Sequence, residues 1–129
     1  MNGTPVALVT GAAHRLGAKT AQTLHARGWN LIIHYRSQHQ KAETVAGGLN
    51  QTRPGSAVTL QADLSNLAEV QQLAEQSVAQ WGRLDGLVNN AARSVFANFK
   101  DLEALDGQQF MDVYSVNVVG AYQMTRAAA

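Results

Sequence analysis

The chain has 129 residues, a formal net charge of +1 and no cysteine. Apolar residues make up 46% of it, which is enough for one buried core, so one domain or part of one is expected. The near-neutral charge gives no electrostatic reason to expect nucleic acid or an anionic membrane as a partner. Because cysteine is lacking, disulfides, thiol nucleophiles and thiolate metal sites are excluded.

No stretch of the sequence predicts a membrane span or an export signal. No apolar run approaches the length of a transmembrane helix, and the N-terminus lacks a basic region followed by an apolar core. The default expectation is therefore a cytoplasmic protein. The histidines are scattered without ligand-type spacing, so we predict no metal site and expect all four on the surface or in loops: His14, His25, His34 and His39.

Residues 5–17 (PVALVTGAAHRLG) join an apolar strand to a glycine-bearing turn and then to a helix. Val6 to Val9 are apolar without alternation, as expected of a parallel strand covered on both faces. Gly11 permits a positive φ and Gly17 lets the following helix pack tightly, while the helix N-terminus offers unpaired N–H groups. The turn therefore suits a pyrophosphate. Arg15 stands where a third glycine would, so the spacing is neither a G-x-G-x-x-G fingerprint nor a P-loop.

The remaining residues alternate between extended and helical patterns. Asn66 and Glu69 form a variant of the capping box before the third helix, and Gly82 ends that helix. Asp106 with Gln109 marks another helix start. The predicted strands span 6–9, 30–35, 57–61 and 86–88, and the predicted helices span 18–27, 38–49, 67–81 and 107–129.

This alternation predicts an α/β fold. Strand, helix and strand in succession require right-handed crossovers and give a parallel sheet with helices on both faces. With the glycine turn after the first strand, the sheet is of the Rossmann-type doubly wound kind with strand order 3-2-1-4. Ligands then gather at the carboxyl ends of strands one and four, and the notable polar segments all follow strand ends.

The end of the second strand predicts which dinucleotide is preferred. Arg36 and Ser37 lie about 20 residues beyond the glycine turn, where NAD-binding folds commonly carry an acidic ribose-binding side chain. A guanidinium and a hydroxyl bind a 2′-phosphate that a carboxylate would repel, so NADPH is favoured over NADH. Arg15 is placed to approach the same phosphate. The alternative is that both arginines are solvated loop cations.

Two further strand ends carry candidate cofactor contacts. After the third strand, the Asp63 carboxylate is suited to accept from an adenine amino group, with Leu64 near the base; alternatively, Asp63 serves only in the turn before the next helix. After the fourth strand, residues 89–92 (NNAA) combine amides that bridge neighbouring backbones with small side chains that let the loop approach a cofactor. Asn90 is alternatively only a turn residue.

The last predicted helix carries a polar side chain on or beside its apolar stripe. Asn117 lies among Phe110, Val113, Ala121 and Met124 at helical spacings. A polar amide there needs partners, such as the backbone at a neighbouring strand or a water in a proton path. A purely structural amide is the alternative.

The motifs that carry a family resemblance are Thr10-Gly11 with Arg15 and Gly17, Asp63-Leu64, Asn89-Asn90-Ala91 and Val116-Asn117. In this order they resemble the N-terminal half of a short-chain dehydrogenase/reductase. Within that family, TGAAHRLG and HYRS resemble the pteridine reductase branch, whose members use NADPH to reduce pterins and sometimes folates. The resemblance covers essentially the whole chain but about half of a typical member, and it implies a partial NADP-binding Rossmann domain over 1–129.

The resemblance also implies roles for single residues. Asn117 would belong to the catalytic proton-relay network, and Phe96 is a candidate for stacking a planar substrate, with packing into the domain as its alternative. Family members are often tetramers, so a homo-oligomer acting on a small-molecule substrate is expected. The implied 2′-phosphate contacts are Arg15, Arg36 and Ser37, the adenine contacts are Asp63 and Leu64, and the other cofactor contacts are Gly11, His14, Leu16, Gly17, Tyr35, Asn90, Ala91 and Ala92.

The sequence departs from the family pattern in two ways. Alanine occupies the position where pteridine reductases commonly have a serine after the asparagines, and Phe96 lies further along than their stacking aromatic. The family's Tyr-x-x-x-Lys pair is not among these residues, and Tyr122 with Arg126 does not replace it because arginine does not readily exchange a proton. We therefore expect an N-terminal fragment, inactive alone, of an NADPH-dependent pteridine reductase. A short-chain carbonyl or 3-oxoacyl reductase and a noncatalytic dinucleotide-binding or regulatory protein are the alternatives.

Overall fold

The computed structural model of the chain describes residues 3–129, which form a four-stranded parallel sheet with helices against both faces. The strands are β1 (Val6–Val9), β2 (Asn30–Tyr35), β3 (Ala57–Gln61) and β4 (Gly86–Val88). The helices are α1 (Arg15–Ala26), α2 (His39–Thr52), α3 (Leu67–Trp81), α4 (Gly107–Tyr114) and α5 (Ala121–Ala128), with a π-helical segment, Ser115–Gly120, between the last two.

The strand order is β3-β2-β1-β4, which confirms the predicted α/β fold of the doubly wound type. All neighbouring strands are parallel, and Leu8 of β1 pairs with Ile32 of β2 on one side and Leu87 of β4 on the other. β1 is buried along its whole length, because it lies inside the sheet and both of its faces are covered by helices. This burial explains why its sequence is apolar without alternation.

The core has two layers, one on each face of the sheet. Successive side chains of β1 point to opposite faces, so Ala7 and Val9 pack in one layer while Val6 and Leu8 pack in the other. The first layer is completed by α1 and α2, and the second by α3 and α5, whose Met124 is fully buried. Within residues 3–129, no helix has both the length and the apolar character that crossing a membrane requires.

The predicted helix ends are mostly confirmed. The Asn66 side chain caps α3 by accepting from the Glu69 amide at 3.1 Å, and Gly82 ends this helix with a left-handed φ of 74°. The Glu69 carboxylate accepts from the Asp63 amide at 3.0 Å, so it ties the end of β3 to the helix start. Asp106 and the side chain of Gln109 form a complete capping box.

The last helix is continuous, but it is not the regular helix that the sequence predicts. Its middle widens into the π-helical segment, whose Gly120 packs so closely on Leu64 that an added Cβ would lie 2.7 Å from the Leu64 carbonyl oxygen. A wider turn changes the angular position of the side chains that follow it. Met124 is buried, whereas Phe110, assigned to the same stripe, is 63% exposed.

Two histidines are in the core, so the expectation that all four lie on the surface or in loops is wrong. His25 of α1 and His34 of β2 are 3% and 2% exposed. Burial is tolerated because their ring nitrogens have partners; His25 Nε2, for example, lies 2.6 Å from Ser56 Oγ. His25 continues the helical spacing of the buried Ala18 and Ala21, a signal that the sequence analysis overlooked.

Candidate functional site

A groove of about 440 Å³ lies at the carboxyl ends of the strands, between the segments that follow β1, β2, β3 and β4. Its volume is in the range of small-molecule sites, and doubly wound sheets place their ligands at this edge. All of the predicted cofactor residues line it: Gly11, His14, Arg15, Leu16, Gly17, Tyr35, Arg36, Ser37, Asp63, Leu64, Asn90, Ala91 and Ala92. Their contact with a cofactor stays a prediction.

The sequence analysis missed several residues that also line this groove. Most of them are neighbours of predicted residues, and adjacency to a strand end was the signal for them. His34 is different, because it lies within β2 and its ring reaches the groove floor from the buried sheet. The missed lining residues are Ala13, His34, Gln38, Ala62, Arg93 and Val116.

The glycine turn needs its two glycines because backbone groups crowd around them. Gly11 has a positive φ of 63°, and an added Cβ would lie 2.8 Å from the Ala91 Cα. A Cβ on Gly17 would overlap the Gly11 carbonyl oxygen and lie 2.5 Å from Asn90 Nδ2. The turn, the start of α1 and the segment after β4 are therefore in direct contact, which brings residues distant in sequence to one wall of the groove.

The N-terminus of α1 faces this groove with unpaired backbone donors. The first intrahelical bond runs from the Ala18 amide to the His14 carbonyl at 3.2 Å, so the amides of Arg15, Leu16 and Gly17 have no partner within the helix. Among the described residues, no side chain caps this end and no acid lies in its first turn. Free amides and the positive end of the helix dipole are together suited to bind an anionic group.

Arg15 adopts the left-handed conformation that glycine usually occupies, with a φ of 51°. This backbone geometry costs a non-glycine residue roughly 1 kcal/mol. Strained residues cluster at functional sites, and Arg15 lines the groove. A guanidinium at this point adds positive charge beside the free amides of α1.

Asn90 joins the segment after β4 to the glycine turn. Its Nδ2 donates to the carbonyl oxygens of Thr10 and Gly11, both at 3.1 Å. In return, the amides of Asn90 and Ala91 donate to Thr10 Oγ1 at 3.0 and 2.9 Å. Asn90 is therefore a bridge between two backbones and not only a turn residue, and it holds Ala91 against the groove.

Asp63 forms the turn considered for it, and its contact with adenine stays a prediction. Its Oδ1 accepts from the amide and hydroxyl of Ser65 at 3.0 and 2.7 Å, which forms the turn before α3, and the residue also lines the groove. The hydrogen bonds from Ser65 lower the pKa of the Asp63 carboxyl, and the cations of Arg36 and Arg93 lower it further. Asp63 is therefore ionised at neutral pH and acts as a hydrogen-bond acceptor.

Asn117 lies in the π-helical segment and binds the backbone after β4. Its Oδ1 accepts from the Arg93 amide at 2.7 Å, and its Nδ2 donates to the Arg93 carbonyl at 2.9 Å. This pair of bonds supplies the backbone partner expected for the amide. The Arg93 guanidinium also lies 4.0 Å from the Asp112 carboxylate, so α4 contacts the side chain of this wall residue.

The aromatic residues of the C-terminal segment lie away from the groove. Phe96 is 96% exposed and neither lines the groove nor packs into the core, so neither interpretation of this residue is seen in its contacts. Tyr122 is exposed, with the Arg126 guanidinium 5.8 Å from its ring centroid. Among residues 3–129, no three histidine, cysteine, aspartate or glutamate side chains are grouped to hold a metal ion.

A family model described as short chain dehydrogenase matches residues 5–129. The chain belongs to the short-chain dehydrogenase family. A crystal structure of a short-chain dehydrogenase/reductase from Burkholderia xenovorans superposes with a TM-score of 0.92 at 31% identity, covering 99% of this chain and 52% of that one. The predicted family and its Rossmann-type fold are thus confirmed.

Two curated relatives of this short-chain dehydrogenase are reductases. Pteridine reductase 1 of Leishmania tarentolae is 44% identical in an alignment of 105 positions, which covers 68% of this chain and 36% of that protein. A ketoacyl reductase of the granaticin polyketide synthase from Streptomyces violaceoruber is 35% identical over 124 residues, or 96% of this chain and 48% of the relative. The chain therefore spans less than half the length of both relatives. Short-chain dehydrogenases bind nicotinamide dinucleotides, which agrees with the dinucleotide groove predicted here.

Proposed function

We propose that this short-chain dehydrogenase is an NADPH-dependent reductase and that pterins are its favoured substrate class. The observation that carries the cofactor choice is the charge of the groove. Among its described lining residues, Asp63 is the one carboxylate, whereas Arg15, Arg36 and Arg93 are cations. Arg36 and Ser37 occupy the end of β2, where a 2′-phosphate would accept charge-assisted hydrogen bonds.

The other parts of the dinucleotide would lie against the remaining walls of the groove. The free amides at the start of α1 suit the pyrophosphate, and the ionised Asp63 beside Leu64 suits the adenine amino group. The bound nicotinamide would supply the hydride. Asn117 holds the backbone of Arg93 at the wall after β4, and we assign it to the proton-relay network on the strength of the family resemblance.

Two relatives and the position of Phe96 bear on the choice of substrate class. The pteridine reductase of Leishmania tarentolae has the higher identity, which favours pterins. A ketoacyl or other carbonyl substrate is the second candidate, because the ketoacyl reductase matches nearly the whole chain and the exposed Phe96 supplies no stacking surface to the groove. Steady-state rates of NADPH oxidation with a dihydropterin, a dihydrofolate and a 3-oxoacyl thioester would rank these classes.

We also propose a cytoplasmic homo-oligomer, tetrameric as the resemblance implies. Association is supported by an exposed apolar surface on the last helix, formed by Phe110, Met111, Tyr114, Val118 and Tyr122. Apolar area of this kind is typical of protein interfaces. Sedimentation equilibrium of the purified protein measures the oligomeric state directly.

The cofactor proposal is tested with Arg36→Asp. The change removes a charged hydrogen bond and adds repulsion, so NADPH affinity should fall by about 2 to 4 kcal/mol, or roughly 30- to 900-fold. NADH affinity should change much less. Arg27→Asp is the matched control, because it makes the same charge change on an exposed residue after α1, at the opposite end of the sheet. Equal losses of NADPH and NADH affinity in Arg36→Asp would exclude Arg36 from 2′-phosphate binding.

A further inference from the structure

His34 connects two walls of the groove through its buried ring. Its Nδ1 accepts from the Gly11 amide at 3.0 Å, and its Nε2 lies 2.9 Å from the Ala62 carbonyl oxygen. Its own carbonyl accepts from the Ala12 amide at 2.9 Å, so the glycine turn is held by both the backbone and the ring of this residue. Ala62 directly precedes Asp63. The ring therefore joins the glycine turn, where the pyrophosphate is proposed to bind, to the segment that carries the proposed adenine contacts.

These partners determine the protonation state of the ring. The Gly11 amide can only donate and the Ala62 carbonyl can only accept, so the imidazole is neutral with its hydrogen on Nε2. Burial lowers the pKa of His34, and the Ala62 carbonyl partly opposes this effect. A proton on Nδ1 would place two N–H donors against each other and leave the partly buried Gly11 amide without an acceptor.

We propose that His34 is a positioning residue for the dinucleotide, whose neutral ring holds the glycine turn and the Ala62–Leu64 segment at the separation that one bound cofactor spans. This inference rests on the proposed dinucleotide binding. One ligand contacts both walls, so a change in their separation lowers the fit of the whole molecule. Protonation of His34 therefore weakens cofactor binding without removing any direct contact to the cofactor.

The test must distinguish protonation of His34 from the titration of other groups that also change NADPH affinity with pH. Within the described residues, the hydrogen bonds of the ring are the two to Gly11 and Ala62. The 2′-phosphate of NADPH itself titrates near pH 6, so the comparison has to be made between variants with the same ligand. The titratable and charged groups that line the groove from the four strand ends are His14, Arg15, Tyr35, Arg36, Asp63 and Arg93.

The test measures NADPH dissociation constants between about pH 8 and pH 5 in three proteins. His34→Gln keeps an acceptor for Gly11 and a donor for Ala62 but does not titrate. His25→Gln is the matched control, because His25 is the other buried histidine and lies at the opposite end of the sheet. With each protein compared to its own affinity at pH 8, affinity should fall about tenfold more on acidification in the wild type and in His25→Gln than in His34→Gln.

Superimposed pH profiles of the wild type and His34→Gln would overturn the proposal. A measurement without cofactor distinguishes failure of this proposal from failure of the proposed function. It also needs only the wild type, so it applies even if His34→Gln does not fold. Imidazole nitrogen shifts of the ligand-free wild type should show the Nε2–H tautomer at neutral pH, and the Gly11 amide should exchange slowly. A ring protonated on Nδ1 at neutral pH would refute the positioning role. If the ring shows the Nε2–H tautomer but the protein does not bind NADPH, only the cofactor assignment is refuted.

Discussion

The two ends of the parallel sheet use polar side chains in opposite ways. At the amino ends of the strands, Asn50 binds the backbone of Ser56 and Ala57, and Arg53 donates to the carbonyls of His25 and Trp29. At the carboxyl ends, the first amides of α1 are unpaired within the helix, and several cations line an open groove. Polar groups that the chain itself pairs contribute to stability, whereas those left open are available to a ligand.

The same contrast separates the two buried histidines. The His25 ring meets the Ser56 hydroxyl, which lies 2.5 Å from the Arg53 carbonyl oxygen and donates to it. The His34 ring instead joins two segments that line the groove. Substitution at the amino end should therefore change stability alone, and substitution at the carboxyl end should change both stability and ligand binding.

The largest effect is expected from Gly17→Ala at the carboxyl end. The new methyl group would overlap the Gly11 carbonyl, and backbone neighbours cannot move as a side chain does, so we expect a loss of about 3 kcal/mol in the free energy of unfolding. Gly47→Ala in α2 is the matched control. Its methyl group meets nothing within 4 Å, so helix propensity should stabilise the protein by roughly 0.5 to 1 kcal/mol. Urea denaturation measures both, and an equal effect of the two changes would contradict the crowding described here.

Asn50→Ala should give the next largest effect, at the amino end. Its side chain accepts from the Ser56 and Ala57 amides at 2.9 and 3.0 Å and donates to the Ala57 carbonyl at 2.9 Å. Leaving these partly buried groups unpaired should cost about 2 kcal/mol. Gln51→Ala, at an exposed position of the same helix, should be nearly neutral. NADPH affinity of the folded Asn50→Ala protein should be unchanged, and a large loss of affinity would remove the distinction between the two ends.

Acidification should produce a smaller loss that involves both ends. Burial and the Arg53 cation lower the pKa of His25, and burial lowers that of His34, from an ordinary value of 6.5. Below that pH the unfolded chain binds protons that the folded chain does not, so the free energy of unfolding should be greatest above pH 6.5 and decrease as the pH falls toward the folded pKa values. His25→Gln should make this decrease shallower. A wild-type curve that is flat through this range would contradict the lowered pKa values.

The smallest effect is expected from Ser65→Ala beside the groove. Removing the hydroxyl that donates to Asp63 Oδ1 should raise the pKa of the Asp63 carboxyl toward its ordinary value. Ser65→Thr keeps the hydroxyl and should leave the pKa low. Carbon NMR titration of the Asp63 carboxyl distinguishes the variants, and the same value in both would show that the hydroxyl does not lower it.

The sequence alone determined the order and limits of the strands. All four strands occupy the predicted residues. The clearest signal is in β1, because a parallel strand covered on both faces needs a continuous apolar run that is visible locally. The caps at Asn66, Gly82 and Asp106 were also predictable, since a cap involves residues within one turn of the helix end. Two predicted helix limits were wrong by about a turn: α1 begins at Arg15, before the predicted residue 18, and α2 continues to Thr52, beyond the predicted residue 49.

Only the tertiary structure decided which polar groups meet. Residues 89–92 predicted amides that bridge backbones, but not that Asn90 would reach the turn 80 residues before it. His34 binds an amide 23 residues away in sequence, and no local pattern predicted that contact. The same holds for Arg93, whose backbone is bound by the Asn117 side chain at the groove wall. It also holds for Phe96, whose exposure depends on which residues lie near it in space. Hydrophobic periodicity records which face is buried, but hydrogen bonds depend on the distances and directions that packing sets between distant segments.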